Sequence, residues 1–232
     1  MELIVSGLSE AFRMIIELDR DIFDITWLTL RVCILATLIS MIIGIPLGML
    51  LALKHFIGRR FLIVLAQAGM GLPPVVAGLW VTIFLWRSGP LGSIQWLFTP
   101  TAIVIAQVVV SLPIIISLTY AALQRLDPQL KKQLKALGPT RLQYGWFLLR
   151  EARFGIVAAV MAGLGRVLAE VGAAQMVGGN LLGDTRILTT AMVMEVSRGN
   201  FDVAFALSFI LMTIAFLITF LLTYFQQRQV IR

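Results

Sequence analysis

"KKQLKALGPTRLQYGWFLLREAR", residues 131–153, is a basic module set inside a very apolar chain. It carries Lys131, Lys132, Lys135, Arg141, Arg150 and Arg153 and is punctuated by Gly138, Pro139 and Gly145. A segment this charged is costly in hydrocarbon. The runs on either side are not. "PTAIVIAQVVVSLPIIISLTY" (100–120) precedes it and "FGIVAAVMAGLGRVLAEVGAAQM" (154–176) follows it. Each has the ~20 residues a spanning helix needs. The module therefore reads as a loop in water between two membrane crossings.

Working outward, three more runs qualify as crossings: 28–53, 61–86 and 203–225. Arg31, near one end of the first, can snorkel to the interface. The 232 residues are 59% hydrophobic and only 13% charged, with a mean hydropathy of +0.94. A soluble domain holds roughly 45–50% apolar and about 25% charged residues. Only lipid covers a surface this apolar, and helices satisfy their own backbone there. The expected fold is an all-α membrane protein with five transmembrane helices in one transmembrane domain, residues 26–226. Residues 1–25 form an extracytoplasmic lead-in, with 3–18 expected as an interfacial helix or a frayed segment. Residues 227–232 form a cytoplasmic tail. The acidic N-terminus lacks the pattern of a cleaved signal peptide.

The basic residues assign the sides. Lys54, Arg59 and Arg60 lie in one loop, seven Lys and Arg in 121–153, and Arg228 and Arg232 at the end. With five crossings these segments share a side, and they hold twelve of the nineteen basic residues. Glu2, Glu10, Glu17, Asp19, Asp21 and Asp24 lie opposite. The N-terminus is thus expected outside and the C-terminus in the cytoplasm. The charge of +7 is explained by this placement, without nucleic acid. Cys33, the single cysteine, reads as a small buried hydrophobe. One histidine, His55, excludes a polyhistidine metal site.

Glycine and proline interrupt three runs: "GIPLG" (44–48) around Pro46, "GMGLPPVVAGL" (69–79) around Pro73 and Pro74, and Pro113 after Ser111. Proline frees a carbonyl and bends a helix, and adjacent Pro73 and Pro74 predict a true break. Two readings stay open: static kinks for packing, or the moving walls of a pathway. Arg166 and Glu170, four apart in the fourth run, are expected on one helical face as an ion pair. That pair is either a clamp or part of passage and gating, the third alternative being that the helix boundaries fall elsewhere and the spacing does not hold. Ser40, Ser111 and Thr189 are candidate lining hydroxyls, with local backbone bonding as the alternative. Residues 171–200 are expected to dip partway in or to form short helices over the outer mouth. No phosphate loop, zinc motif or nucleophile elbow is present. The chain is therefore read as a transport subunit rather than an enzyme, binding no cofactor itself. No convincing internal repeat supports a gradient-driven carrier, so a partner is the expected energy source.

Within the inward loop, Asp127 caps a helix with Pro128 in its first turn. Leu130, Leu134 and Leu137 recur at helical spacing as an apolar ridge, and Gly138 and Pro139 stop the helix. Thr140 starts the next. The ridge is expected to dock on a partner, the alternative being an interfacial helix on anionic lipid.

Five segments then carry a family resemblance: "LKALGPTR" (134–141), "GLPPVVAGL" (71–79), "RSGPLG" (87–92), "AEVGAAQMVGGN" (169–180) and "TRILTTAMVMEVSRGNFDVAFAL" (185–207). The chain resembles the permease of an ATP-driven importer of the tungstate, molybdate and sulfate branch, the tungstate permeases most. In that family an inward Glu-Ala-Ala stretch followed by glycine inserts a coupling helix into the ATPase subunit. Gly138 matches the glycine. Lys132, Gln133 and Leu134 stand at the Glu-Ala-Ala places, and Glu151 stands where proline is frequent. The resemblance implies a type I ABC importer permease fold with a cytoplasmic coupling helix. It implies coupling through Leu134, Lys135, Ala136, Leu137, Gly138, Pro139 and Thr140. It also implies a permease homodimer, two cytoplasmic ATPase subunits that use ATP and magnesium, and an extracytoplasmic oxyanion-binding protein. Tungstate is the expected substrate, with molybdate or sulfate as the alternative and an ion-gradient-driven carrier further off.

Overall fold

The buried positions of the first helix, α1 (Arg20–Leu53), fall at Ile25, Thr29, Val32, Cys33, Ala36, Thr37, Ser40, Gly44, Gly48 and Leu51. That three-and-four spacing makes one stripe, and the rest of the helix stays exposed within the chain. The computed structural model describes residues 20–228. The expected interfacial helix over 3–18 lies outside those residues, as do the last four residues of the expected tail.

The remaining elements follow in order. They are α2 (Arg59–Met70), α3 (Pro74–Leu85), a 3-10 turn (Gly92–Ile94), α4 (Pro100–Gln124), α5 (Pro128–Ala136), α6 (Arg141–Glu151), α7 (Arg153–Leu168), α8 (Gly172–Gly178), α9 (Leu188–Arg198) and α10 (Phe201–Arg228). Among the described residues, three helices, α1, α4 and α10, are individually long and apolar enough to cross a membrane. The pairs α2–α3 and α7–α8 pass the same test together, but bend by 111° and 57°. Up to five crossings result, in an all-α fold.

α4 is the axis of the bundle. Its spanning window is 56% buried, against 33% for α1 and 17% for α10. It packs on α1, α2, α3, α7 and α8. In lipid, apolar surface alone does not drive helices together, so close approach of backbones must. Glycine supplies that approach. A Cβ on Gly48 would stand 2.8 Å from the Ile116 carbonyl oxygen, and one on Gly163 would stand 2.8 Å from Ile115. Outside the spans, ordinary burial holds the loop: Leu123, Leu148 and Ala152 form a cluster joined by Leu134.

Several element boundaries differ from the sequence expectation. α1 starts at Arg20 rather than near residue 28, because Ile22 and Ile25 pack on Leu207 and Ile210 of α10. Asp21 lies in its first turn, where a carboxylate is favoured. α10 likewise runs to Arg228. Pro46 and Pro113 sit inside continuous helices, and the Pro113 ring packs where Gly69 leaves room. The backbone break falls instead at Gly71–Pro73. A second break, at Ala169–Val171, has no proline.

Candidate functional site

Two regions hold the candidate residues. The first is the hairpin of α5 and α6. Asp127 Oδ1 accepts from Gln129 N at 2.8 Å, capping α5. At the other end Gly138 turns the chain with φ +64°. No atom lies within 4 Å of a Cβ placed on Gly138, so the glycine serves the left-handed backbone and not a tight fit. Thr140 then opens α6 by a reciprocal cap. Gln143 N donates to Thr140 Oγ1 at 3.3 Å, and Thr140 N donates to Gln143 Oε1 at 2.9 Å. Both helix ends are thus held from within, and the hairpin keeps its shape without a partner. Lys135 Nζ lies 5.7 Å from the centre of the Tyr144 ring. Partial burial raises the Tyr144 phenol above its ordinary value.

The apolar ridge divides. Leu134 turns inward onto the Leu123, Leu148 and Ala152 cluster. Leu137 points out and is 81% exposed. So is Leu142, at 87%, a residue the sequence reading passed over. No local signal marked it: Leu142 is three residues from Gly145, and which side of α6 is buried, at Gly145 and Leu148, is decided by packing. The hairpin therefore presents two leucines flanking Gly138-Pro139-Thr140.

The second region is the double break. The Gly71–Pro73 and Ala169–Val171 breaks lie side by side. A Cβ on Gly78 would stand 2.7 Å from Ala173 Cα, and one on Gly172 would stand 2.6 Å from Val75 Cγ2. Arg166 Nη2 donates to the Leu72 carbonyl at 3.2 Å, tying α7 to the first break. Thr189 Oγ1 donates to the Glu170 carbonyl at 2.8 Å. Pro73, Pro74, Arg166, Glu170 and Thr189 thus come together.

The expected Arg166–Glu170 ion pair is not formed. α7 ends at Leu168 and Glu170 falls in the break, so the four-residue spacing no longer stacks the two side chains. Glu170 instead turns forward. Its Oε1 accepts from Ala173 N at 2.6 Å, capping α8 at the end where a carboxylate is favoured. Loss of such a cap typically costs about 1 kcal/mol. Glu170→Ala is expected to lower the unfolding temperature in detergent, and Glu170→Gln, which keeps an acceptor oxygen, by less than half as much. Equal losses would show that the side chain acts otherwise.

Ser40 and Ser111 meet elsewhere, in the α1–α4 contact. Their Oγ atoms are 2.7 Å apart, and Ser111 Oγ donates to Gln107 O at 2.8 Å. Ser111 has one hydroxyl hydrogen, so Ser40 donates to Ser111. Both are fully buried within the chain. Between the two regions, a cavity of about 360 Å³ is lined by Ala122, Arg125, Glu151, Gly155 and Ala158, among others. Among the described residues no group of three or more His, Cys, Asp or Glu is arranged to hold a metal.

Comparison with known proteins matches residues 44–231 to the family "Binding-protein-dependent transport system inner membrane component". A "probable anion ABC transporter permease protein" of Haloferax volcanii is 37% identical over 82% of this chain and 84% of its own. The "tungstate uptake system permease protein TupB" of Peptoclostridium acidaminophilum is 34% identical over 91% of this chain and 93% of its own. The "sulfate transport system permease protein CysW" of Synechocystis is 26% identical over 83% of this chain and 72% of its own. In structure, a chain of the inward-facing MetNI methionine ABC transporter superposes with a TM-score of 0.69. That match covers 87% of this chain and 93% of the other at 21% identity, so the two share a fold.

Proposed function

The chain belongs to the family of binding-protein-dependent transport system inner membrane components, and from that premise we propose that it carries tungstate as the permease of an ATP-driven importer. The observation that carries this reading is the capped α5–α6 hairpin, with Leu137 exposed beside Gly138. An apolar side chain held out on a rigid turn has no reason to stay in water. It suits a hydrophobic cleft on an ATPase subunit, with Leu134, Lys135, Ala136, Pro139 and Thr140 shaping the contact.

The assembly is a permease homodimer with two cytoplasmic ATPases below and an oxyanion-binding protein outside. The hairpin faces the cytoplasm and the N-terminus the other side, in keeping with the basic charge of the 121–153 loop. ATP closes the ATPase pair, and the hairpin passes that movement to the bundle. The loop containing it follows directly from α4, the helix against which both broken spans pack. Pro73, Pro74, Arg166, Glu170 and Thr189 form the moving part, and Ser40 and Ser111 hold α1 to α4 beside it. Coupling of this kind needs each partner to favour one of two states. Tungstate is preferred over sulfate because relatives named as tungstate permeases are 34% and 32% identical, above the 26% of a sulfate permease CysW.

The test is reconstitution of the chain with its ATPase and binding protein in proteoliposomes. ATP-dependent tungstate uptake is expected, with unlabelled molybdate competing more weakly and sulfate least. Uptake of sulfate that tungstate does not inhibit would overturn the substrate. Uptake by the chain alone under an ion gradient would overturn the mechanism.

A further inference from the structure

Arg166 and Glu170 are the charged residues deep in the apolar runs, and the carboxylate is already engaged with Ala173 N. Arg166 is left with a neutral hydrogen-bond partner, the Leu72 carbonyl, reached from Nη2 at 3.2 Å, while Glu170 attracts it only through space. Its Nε is buried and has no hydrogen-bond partner within the chain. Nε and Nη2 lie along one edge of the planar guanidinium, the fork that fits two oxygens of one anion. One tine rests on a carbonyl and the other is empty. A buried donor of a cation without an acceptor is costly.

The Leu72 carbonyl is an exchangeable partner. It lies in the α2–α3 break, where Val76 N and Ala77 N both donate to Pro73 O. Arg166 supplies a donor in their place, yet a carbonyl cannot neutralise the guanidinium as an anion does. The approach is open as well. Ala158 and Ala162 are exposed and lie about two turns and one turn before Arg166 on α7. This low wall leads down to the 360 Å³ cavity lined by Ala158 and Arg125. Glu151 also lines that cavity, and at Arg166 the Glu170 carboxylate is near enough to attract the guanidinium without contacting it, so its charge is only partly offset.

We propose that the Nε/Nη2 edge of Arg166 is the contact for the tetrahedral oxyanion inside the membrane, taken by the anion in competition with the Leu72 carbonyl. This rests on the oxyanion-permease reading above. Binding then does two things at once. It fills the empty tine, and it unties α7 from the first break, so arrival of the anion loosens the contact between the two broken spans. A single fork with the Glu170 carboxylate nearby holds the anion weakly, which suits a step that must also release.

The test uses the assembled transporter in lipid, with ¹⁵N-arginine and sodium tungstate as the probe against sodium chloride at equal ionic strength. ATP-dependent tungstate uptake by the unmodified complex comes first; without it the parent reading fails, independently of Arg166. Given uptake, the Nε signal missing from Arg166→Lys is expected to shift with tungstate and not with chloride. Arg166→Lys, which keeps the charge and loses the fork, is expected to lower uptake about tenfold. The factor should be the same for every tetrahedral oxyanion transported, because the fork reads geometry they share. An Nε signal that ignores tungstate, one that moves equally with chloride, or uptake by Arg166→Lys within twofold of the unmodified chain would overturn the proposal. If neither Arg166→Lys nor Arg166→Gln assembles, Arg166 is a structural tie and the proposal is likewise overturned.

Discussion

Leu137→Asp is expected to abolish ATP-driven uptake, by about a hundredfold or more, while the permease itself still folds. The two halves of that expectation come from different facts. Leu137 is 81% exposed and contributes little to its own chain. Burying a leucine against a partner is worth roughly 1.5–3 kcal/mol, and forcing an unpaired carboxylate into the same cleft costs several more. Each 1.4 kcal/mol is a tenfold change in association, and the homodimer proposed above uses the contact twice. Leu137→Ala, which removes only the apolar gain, should fall between the parent and the aspartate variant. The measurement is co-purification of the tagged ATPase, followed by uptake in proteoliposomes. Full recovery of the ATPase with Leu137→Asp would show that the hairpin is not the docking element. Leu142→Asp is the companion variant, since Leu142 flanks the same turn.

The second large effect is on folding. Gly78→Val is expected to prevent assembly of the double break, and Gly165→Ala to leave it intact. A Cβ on Gly78 would stand 2.7 Å from Ala173 Cα and 3.2 Å from Ala173 O. Both are backbone atoms of α8, so no side chain can rotate away. Overpacking of this sort costs about 1–3 kcal/mol and occasionally more, and at Gly78 the upper end applies because two helix backbones must separate. At 2–4 °C per kcal/mol for a chain of this size, the unfolding temperature should drop by roughly 6–12 °C. At Gly165 nothing lies within 4 Å of an added Cβ. Alanine there gains helix propensity, worth up to about 1 kcal/mol. Thermal unfolding of the two variants in the same detergent checks the pair. A Gly78→Val protein as stable as its parent would mean that α3 and α8 are not packed backbone to backbone.

The double break shows how far local reasoning reached. Pro73 and Pro74 announced the first break, because proline removes a donor and clashes with the preceding turn. Nothing comparable announces the second. Ala169 and Val171 are ordinary helix-compatible residues, and the break there follows from where α8 packs. Once α7 stopped at Leu168, the helical phase that would have paired Arg166 with Glu170 was lost, and each charge found another partner. The hairpin behaved differently. Asp127, Pro128, Gly138 and Thr140 are local signals acting within a few residues, and each appears in the structure in the role its chemistry suggests. The direction of Leu134 was not legible, since an apolar ridge on a short helix does not reveal which of its members has a neighbour inside the chain.

By itself the sequence determined the solvent, the runs long enough to cross it, the capped hairpin with its left-handed glycine, and the family resemblance. These depend on hydropathy, on chain length against bilayer thickness, and on backbone chemistry within one turn. Tertiary structure alone decided that two breaks lie against each other, that Arg166 reaches Leu72 and Glu170 reaches Ala173, and that Leu134 turns in while Leu137 turns out. Arg166 and Leu72 are 94 residues apart in the chain. A hydrogen bond over that separation depends on how whole helices approach, and their approach is governed by glycines that meet other backbones only after the bundle has closed.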